Sequence, residues 1–345
     1  MTDHSAVPAP RAGVREVAAH AGVSTQTVSR VLNGYDGVRP ETRARVLDAV
    51  EALEYRMNNA ARALGTRTTR TIGVIVSDAA LYGPSAGIAA LDAAARQAGR
   101  WIATVHADSA DAASVLTAAD RLLSLGVDGL IVVAPHAGAL RALEAAHGDT
   151  PLAALHAAVG THRDAARQAQ GAARQAQGAA LAVAHLVHLG HRRIGRVSGP
   201  SDWLEAAARD AGVDDALAEA GLETGPRWVG DWSADSGARS AASIAAAIGR
   251  GDGPTAIVVA NDQMALGVIA GLEAEGIRVP GDVSVTGFDD NPDAASYRPA
   301  LTSVRIDMAG EARRALAEVL GWDAPAAAPA PPTLVVRAST APPAG

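Results

Sequence analysis

The 345-residue chain contains no cysteine. That excludes disulfide scaffolds, thiol nucleophiles and Cys-ligated zinc in one step. Lysine is absent too, so all 30 basic residues are Arg. Aromatics make up 3% of the chain, with a single Phe, so any core must be built from Ala, Val, Leu and Ile. No apolar run reaches the roughly 18–20 residues of a membrane span. The opening residues MTDHSAVPAPRAG carry no hydrophobic signal-peptide core. What remains is ample apolar material: 48% hydrophobic against 19% charged residues supports a large packed core and excludes wholesale disorder. The class left standing is a soluble, cytoplasmic, globular protein of two or three domains.

Charge is unevenly distributed. Residues 1–70 hold 10 Arg against 7 acids, whereas the remainder holds 20 Arg against 30 acids. A small basic head on an acidic body suggests that the head meets a polyanion.

Residues 1–12 are rich in Pro and Ala and read as a disordered tail. Three short helices follow within 14–57. The first is VREVAAHAG, with Gly22 at a turn. The second is TQTVSRVLN, with Ser24 as its N-cap. The third opens at Pro40 and places Val46, Leu47, Val50 and Leu53 on one apolar stripe. From residue 71 the texture changes to ten short β-rich runs, from TIGVIVS to TLVVRAS, alternating with Ala-rich helical stretches. Continuously apolar strands with helices between them imply βαβ units and buried parallel sheets. Ten strands exceed one compact sheet, so two doubly wound subdomains with a ligand cleft at their switch points are expected. The last strand is placed at Leu334–Arg337, after the linker DAPAAAPAPP.

The heptad AARQAQG occurs twice in tandem, at 165–171 and 172–178. Seven residues are close to two helical turns, so the copy either lengthens a helix or loops out at its glycines. His185, His188 and His191 have a spacing that hints at metal, but a His-rich helix end is the simpler reading, and no metal or cofactor site is assigned. Neither G-x-x-x-x-G-K-[ST] nor G-x-G-x-x-G occurs, and no paired-acid site is evident, so no catalytic residue is assigned.

The segment VREVAAHAGVSTQTVSRVLN has the size and punctuation of a helix-turn-helix. Its second helix presents Thr25, Gln26, Ser29 and Arg30 outward and Val28, Val31 and Leu32 inward. Gln reads adenine and Arg reads guanine bidentately in the major groove. An ordinary surface αα-hairpin is the alternative on spacing alone. In the body, residues at the carboxyl ends of strands are cleft candidates: Ser77 and Asp78, Trp232, Asn261 and Asp262, Asp289 and Asp290. Carboxylates and amides beside a Trp face suit a sugar. Asp262 alternatively caps the helix that follows it, and Asp290 caps a turn or bridges subdomains.

The block from Val14 to Arg30, then VRPETRARVLDAVEALEY and NNAARALGTRTTRTIGVIV, closely resembles the lactose/galactose repressor (LacI/GalR) family of transcriptional regulators. The resemblance runs from about residue 13 to 339. In the core it is strongest toward the family's lactose-type members, through GDWSADSG, PTAIVVANDQMALG and DVSVTGFDDNPDAASYRPALTSVRID. It implies a small all-α helix-turn-helix DNA-binding head on an α/β periplasmic-binding-protein-like core of two doubly wound parallel-sheet subdomains. The implied boundaries are a tail at 1–12, the head at 13–57 and a hinge at 58–70. A first core subdomain spans 71–158 and 291–320, a second spans 159–290 and 321–339, and a tail covers 340–345.

For DNA, the resemblance implies Thr25, Gln26 and Arg30 as base readers and Ser24, Thr27, Ser29 and Asn33 as phosphate contacts. The hinge NNAARALGT, with Asn58, would fold on operator DNA and wedge the minor groove open with Leu64; Met57 stands where a Pro commonly precedes it. For the effector, the resemblance places Ser77, Leu81, Gly83, Pro84, Trp232, Asn261, Asp289 and Met308 in the pocket. Two departures stand out. The Arg that sugar-binding members carry after RIGRVSG aligns with Ala207, leaving Arg209 two residues off and projecting from another side of its helix. His156 stands where an Asp is found in the family. The expectation is a homodimeric repressor of a carbohydrate operon, possessing no enzyme activity, that binds a pseudo-palindromic operator under control of a sugar-like effector. The alternatives are a DNA-binding regulator with a degenerate pocket and a sugar-binding protein without DNA function.

Overall fold

The computed structural model describes residues 12–32, 34–55, 68–108, 110–155, 165–251, 253–322 and 328–344, with backbone alone for 165–170. The chain divides into two compact units, one ending at Thr69 and one beginning at Arg70.

The first unit is three helices, α1 (Val14–Ala21), α2 (Thr25–Leu32) and α3 (Pro40–Ala52). The α1–α2 turn needs a left-handed residue, and Gly22 supplies it at φ 64°. Ser24 accepts the Thr27 N–H at 3.1 Å, which makes it the expected N-cap. Pro40 fills the first turn of α3, where its missing N–H costs nothing. Val17, Ala18, Val28, Val31, Val46 and Ala49 close a small core. The expected α3 stripe is corrected at one position. Leu47 is 49% exposed, because the buried line runs through Val46, Ala49 and Val50 and leaves its neighbour on the outer flank.

The second unit holds all ten expected strands. The first sheet consists of β1 (Thr71–Val76), β2 (Trp101–His106), β3 (Leu130–Val133) and β4 (Leu152–Ala154), parallel and in the order β2-β1-β3-β4. Their linking helices are α4 (Tyr82–Gln97), α5 (Ala112–Ser124) and α6 (Ala137–His147). The second sheet contains β5 (Ile194–Ser198), β6 (Arg227–Val229), β7 (Ala256–Val259), β8 (Ser284–Phe288), β9 (Thr302–Arg305) and β10 (Thr333–Val335). Its order is β10-β9-β8-β7-β5-β6, parallel except for β10. The helices here are α7 (Ala165–His188), α8 (Leu204–Glu219), α9 (Ala234–Gly249) and α10 (Asp262–Ala274). A further helix, α11 (Met308–Leu320), returns to the first sheet, where Ala312, Ala315 and Leu316 pack with Ile72, Val74 and Ile131.

Each sheet is sandwiched. One face of the first meets α4 and α11, and the other meets α5 and α6. One face of the second meets α9 and α10, and the other meets α7 and α8. That double coverage explains why β3, β5, β7 and β8 are buried at every residue and β1 at all but its first, with continuous apolar runs in β1, β3 and β7.

Three boundaries shift from expectation. β9 pairs with β8 in the second sheet, so residues 291–305 do not belong to the first subdomain. The switch falls between Arg305 and Met308, where the chain leaves β9 and enters α11. The last strand is Thr333–Val335 rather than Leu334–Arg337, set by its pairing to β9. Residues 340 and 341 are anchored rather than tail. Thr340 meets His185 at 2.9 Å, and the Ala341 carbonyl accepts from Ser284 Oγ at 3.0 Å. The tandem heptads resolve as one continuous helix, α7. His185 and His191 are explained as the structural anchors of this C-terminal segment. His191 is buried against Thr255 Oγ1 and Ser284 Oγ; burial lowers the pKa of both rings and favours their neutral forms.

Candidate functional site

The outer face of α2 carries Thr25, Gln26, Ser29 and Arg30, all exposed, while Val28 and Val31 are buried beneath. Gln26 and Arg30 are one turn apart and share a side of the helix. Thr27 is half-buried and bonded to Ser24. Arg30 also lies 5.5 Å from the ring centre of Tyr35, which is 56% exposed. Tyr35 is a neighbour that sequence reasoning missed. It is held by its N–H donating to the Arg30 carbonyl at 2.9 Å and by Arg43 donating to its own carbonyl at 2.7 Å. Asn33, Asn58 and Leu64 lie outside the described residues.

In the second unit a cavity of about 510 Å³, open to solvent, lies between the two sheets at their carboxyl ends. Seven of the eight expected effector residues line it: Leu81, Gly83, Pro84, Trp232, Asn261, Asp289 and Met308. Ser77 does not; it is buried at the end of β1. Two bridges span the cleft. The segment at His136 pairs with that at Trp203, and His136 Nδ1 meets Asp202 at 2.9 Å. On the other side the Tyr82 N–H donates to Gln263 Oε1 at 3.0 Å.

The polar wall is built from four strand ends. After β6, Trp232 adopts φ 72° and is 5% exposed. A Cβ on Gly199 would come within 2.3 Å of its ring, so the chain after β5 must be glycine there. After β7, Asn261 accepts the Met264 N–H and donates to the Trp232 carbonyl at 3.0 Å. Asn261, not Asp262, therefore caps α10. Asp262 is buried behind it, accepting the Asn291 N–H at 2.7 Å and the Ser303 hydroxyl at 2.5 Å. Burial, aided by the Asp289 carboxylate, pushes Asp262 up to about 8. After β8, Asp289 sits at φ 100°. Its burial raises its pKa to about 6, against the pull of Arg209. Asp290 faces away from the cavity and bridges Arg305 and Arg337, the latter at 2.6 Å.

Residues 13–58 match the description "Bacterial regulatory proteins, lacI family", and residues 183–340 match "Periplasmic binding protein-like domain". The lactose operon repressor of Escherichia coli (strain K12) is 34% identical over 302 residues, covering 85% of this chain and 79% of that protein. The chain belongs to the LacI/GalR family of bacterial transcriptional regulators. Catabolite control protein A of Priestia megaterium is 32% identical, with coverage of 84% and 86%. A solved Lac repressor dimer, bound to operator and the anti-inducer ONPF, superposes with a TM-score of 0.79 at 32% identity. That match covers 96% of this chain and all of that one.

Within this LacI-family regulator, the expected loss of the cleft arginine is overturned. Ala207 is exposed, whereas Arg209 is buried in the cavity wall. The reason is helical phase. α8 begins at Leu204, which turns Glu205 and Arg209, four residues apart, inward together. Arg209 donates to Gln175 Oε1 at 2.8 Å, to the Ala260 carbonyl, and to Asp289 Oδ1 at 3.3 Å. Its guanidinium lies 3.8 Å over the ring of Phe288, the chain's single phenylalanine. Sequence reasoning also missed Trp203, Glu205, Val133, Ala134, Leu155 and Ile306 as lining residues. The i, i+4 spacing of Glu205 and Arg209 was the available signal. His156 lies outside the described residues.

Proposed function

We propose that this regulator is a cytoplasmic, homodimeric repressor of a carbohydrate-utilisation operon and has no catalytic activity of its own. Its effector is a sugar-like molecule held between the two core subdomains. The observation that carries this reading is the cavity itself. Trp203 and Trp232, with ring centres 5.3 Å apart, offer flat apolar faces, while Arg209, Asp289 and Asn261 converge beside them. Flat faces for C–H surfaces and paired polar groups for hydroxyls are what a pyranose requires. The presence of Arg209 favours a working pocket over a degenerate one.

The mechanism is a population shift. The cleft bridges at His136–Trp203 and Tyr82–Gln263 are contacts that closure makes and opening breaks. An effector that binds one cleft state more tightly shifts the balance by that difference. In this proposal the balance sets whether two heads reach successive major grooves and whether the hinge wedge, Leu64, enters the minor groove.

An unbiased selection from random duplexes by the full-length protein tests the DNA side. A pseudo-palindromic sequence with half-sites about one helical turn apart is expected; no enrichment over random competitor ends the proposal. On the selected site Arg30→Ala costs about 1–3 kcal/mol and relaxes one base position. An equal loss on every sequence removes Arg30 from base reading. A thermal-shift screen of sugars tests the effector side.

A further inference from the structure

Two polar groups in the cavity wall are left unanswered among the described residues. Glu205 lines the cavity and is 7% exposed, and its Oε2 is buried without a hydrogen-bond partner among the described residues. The charged lining groups are Glu205, Arg209 and Asp289. Arg209 meets Asp289 at 3.3 Å and also donates to Gln175 Oε1 and the Ala260 carbonyl. That pair is balanced, so the wall carries one carboxylate in excess. A buried, unpaired carboxylate is costly. The protein relieves the cost only in part, since burial raises Glu205 to about 7 while its own backbone N–H and Arg209 oppose that rise.

We infer, resting on the reading of this cavity as the effector site, that the effector carries a basic nitrogen, as an amine on a pyranose-sized ring, seated against Glu205. A hydroxyl would satisfy the Oε2 lone pair and leave the charge. An ammonium satisfies both, because it brings donors and the missing positive charge. The surroundings favour the same group. Trp203 and Trp232 line the same cavity; Arg209 already lies 5.6 Å from the Trp232 ring centre, and aromatic rings of this kind attract a desolvated cation. Trp232 Nε1 is also buried without a partner among the described residues, so it is available to a ring or hydroxyl oxygen of the same molecule.

The test is calorimetry on the full-length protein with glucose, galactose and mannose, their 2-amino forms, and their N-acetyl forms, which keep the nitrogen and remove the charge. At least one amino sugar is expected to bind about tenfold more tightly than both its parent and its N-acetyl form, and Glu205→Gln is expected to erase that preference. The inference falls if parent or N-acetyl sugars bind as well as the amines, or if no amino sugar binds, or if the preference survives in Glu205→Gln. Circular dichroism checks that the variant folds; if it does not, the wild-type comparison of amine with N-acetyl form decides alone. The proposed function is read separately. Release of the selected duplex by a neutral sugar sinks the amine and leaves the sugar-controlled repressor standing, whereas the absence of any selected duplex sinks the repressor itself.

Discussion

The two walls of the cleft differ in kind. The first subdomain contributes Leu81, Gly83, Pro84, Val133, Ala134 and Leu155, and α11 adds Met308: not one ionisable group among them. The second contributes Trp203, Glu205, Arg209, Trp232, Asn261 and Asp289. In the proposed effector site the polar groups are therefore concentrated on one lobe, and the other provides an apolar cover. A ligand can be oriented completely by the second lobe. Closure of the first then adds apolar area and the two cleft bridges without disturbing the polar wall, which suits the proposed switching between open and closed states.

Four substitutions break or sharpen this contrast. The largest effect belongs to Arg209→Ala, which strands Asp289 as a buried, unpaired acid and should cost about 3–5 kcal/mol in a urea titration. A loss under 1 kcal/mol would mean that the polar wall is not held by this pair. Next is Glu205→Gln. The carboxyl is raised from 4.5 to about 7, so its contribution is complete below pH 4.5 and lost as pH rises through 7. At pH 8 the substitution should stabilise by about 3 kcal/mol, with no gain at pH 4; equal midpoints at both values would show the group to be solvated. On the apolar wall, Met308→Leu conserves volume and should change stability and sugar affinity by less than about 1.5 kcal/mol. A larger loss of affinity would give that wall a specific role. Least of all, Ala207→Arg adds a guanidinium to the outer face of α8 and should stay within about 0.5 kcal/mol in both assays; tighter sugar binding would restore the alignment that put the family arginine at 207.

Much of this was legible in advance. Strands buried on both faces, such as β1, β3 and β7, announce themselves by continuous apolar runs, whereas the edge strands β2, β6 and β10 keep exposed residues and were marked by short β-branched or aromatic runs. The head helices were marked by Gly22, Ser24 and Pro40, residues whose backbone requirements are local. What failed depended on phase or on distant pairing. Two residues of slip in aligning α8 rotate a side chain by roughly half a turn, enough to move Arg209 from wall to surface on paper. The sheet that β9 joins is decided by β8 and β10, not by its own sequence. Glu205 escaped because a lone acid in a helix's first turn reads as a partner for the helix dipole; only burial reveals its cost.

The repeated heptad gains meaning from where its second copy sits. Gln175 holds the cleft arginine, and Arg174 bonds Glu311 on α11, the helix that covers the first sheet. The copy before it has the same seven letters, and a shift of seven residues brings a helical side chain back to almost the same bearing. A replication slip that removed either unit would thus leave an identical Arg-Gln pair facing the cleft and shorten only the far end of the rod. The gene carries a spare, and the helix has a length that can drift while its working end stays fixed.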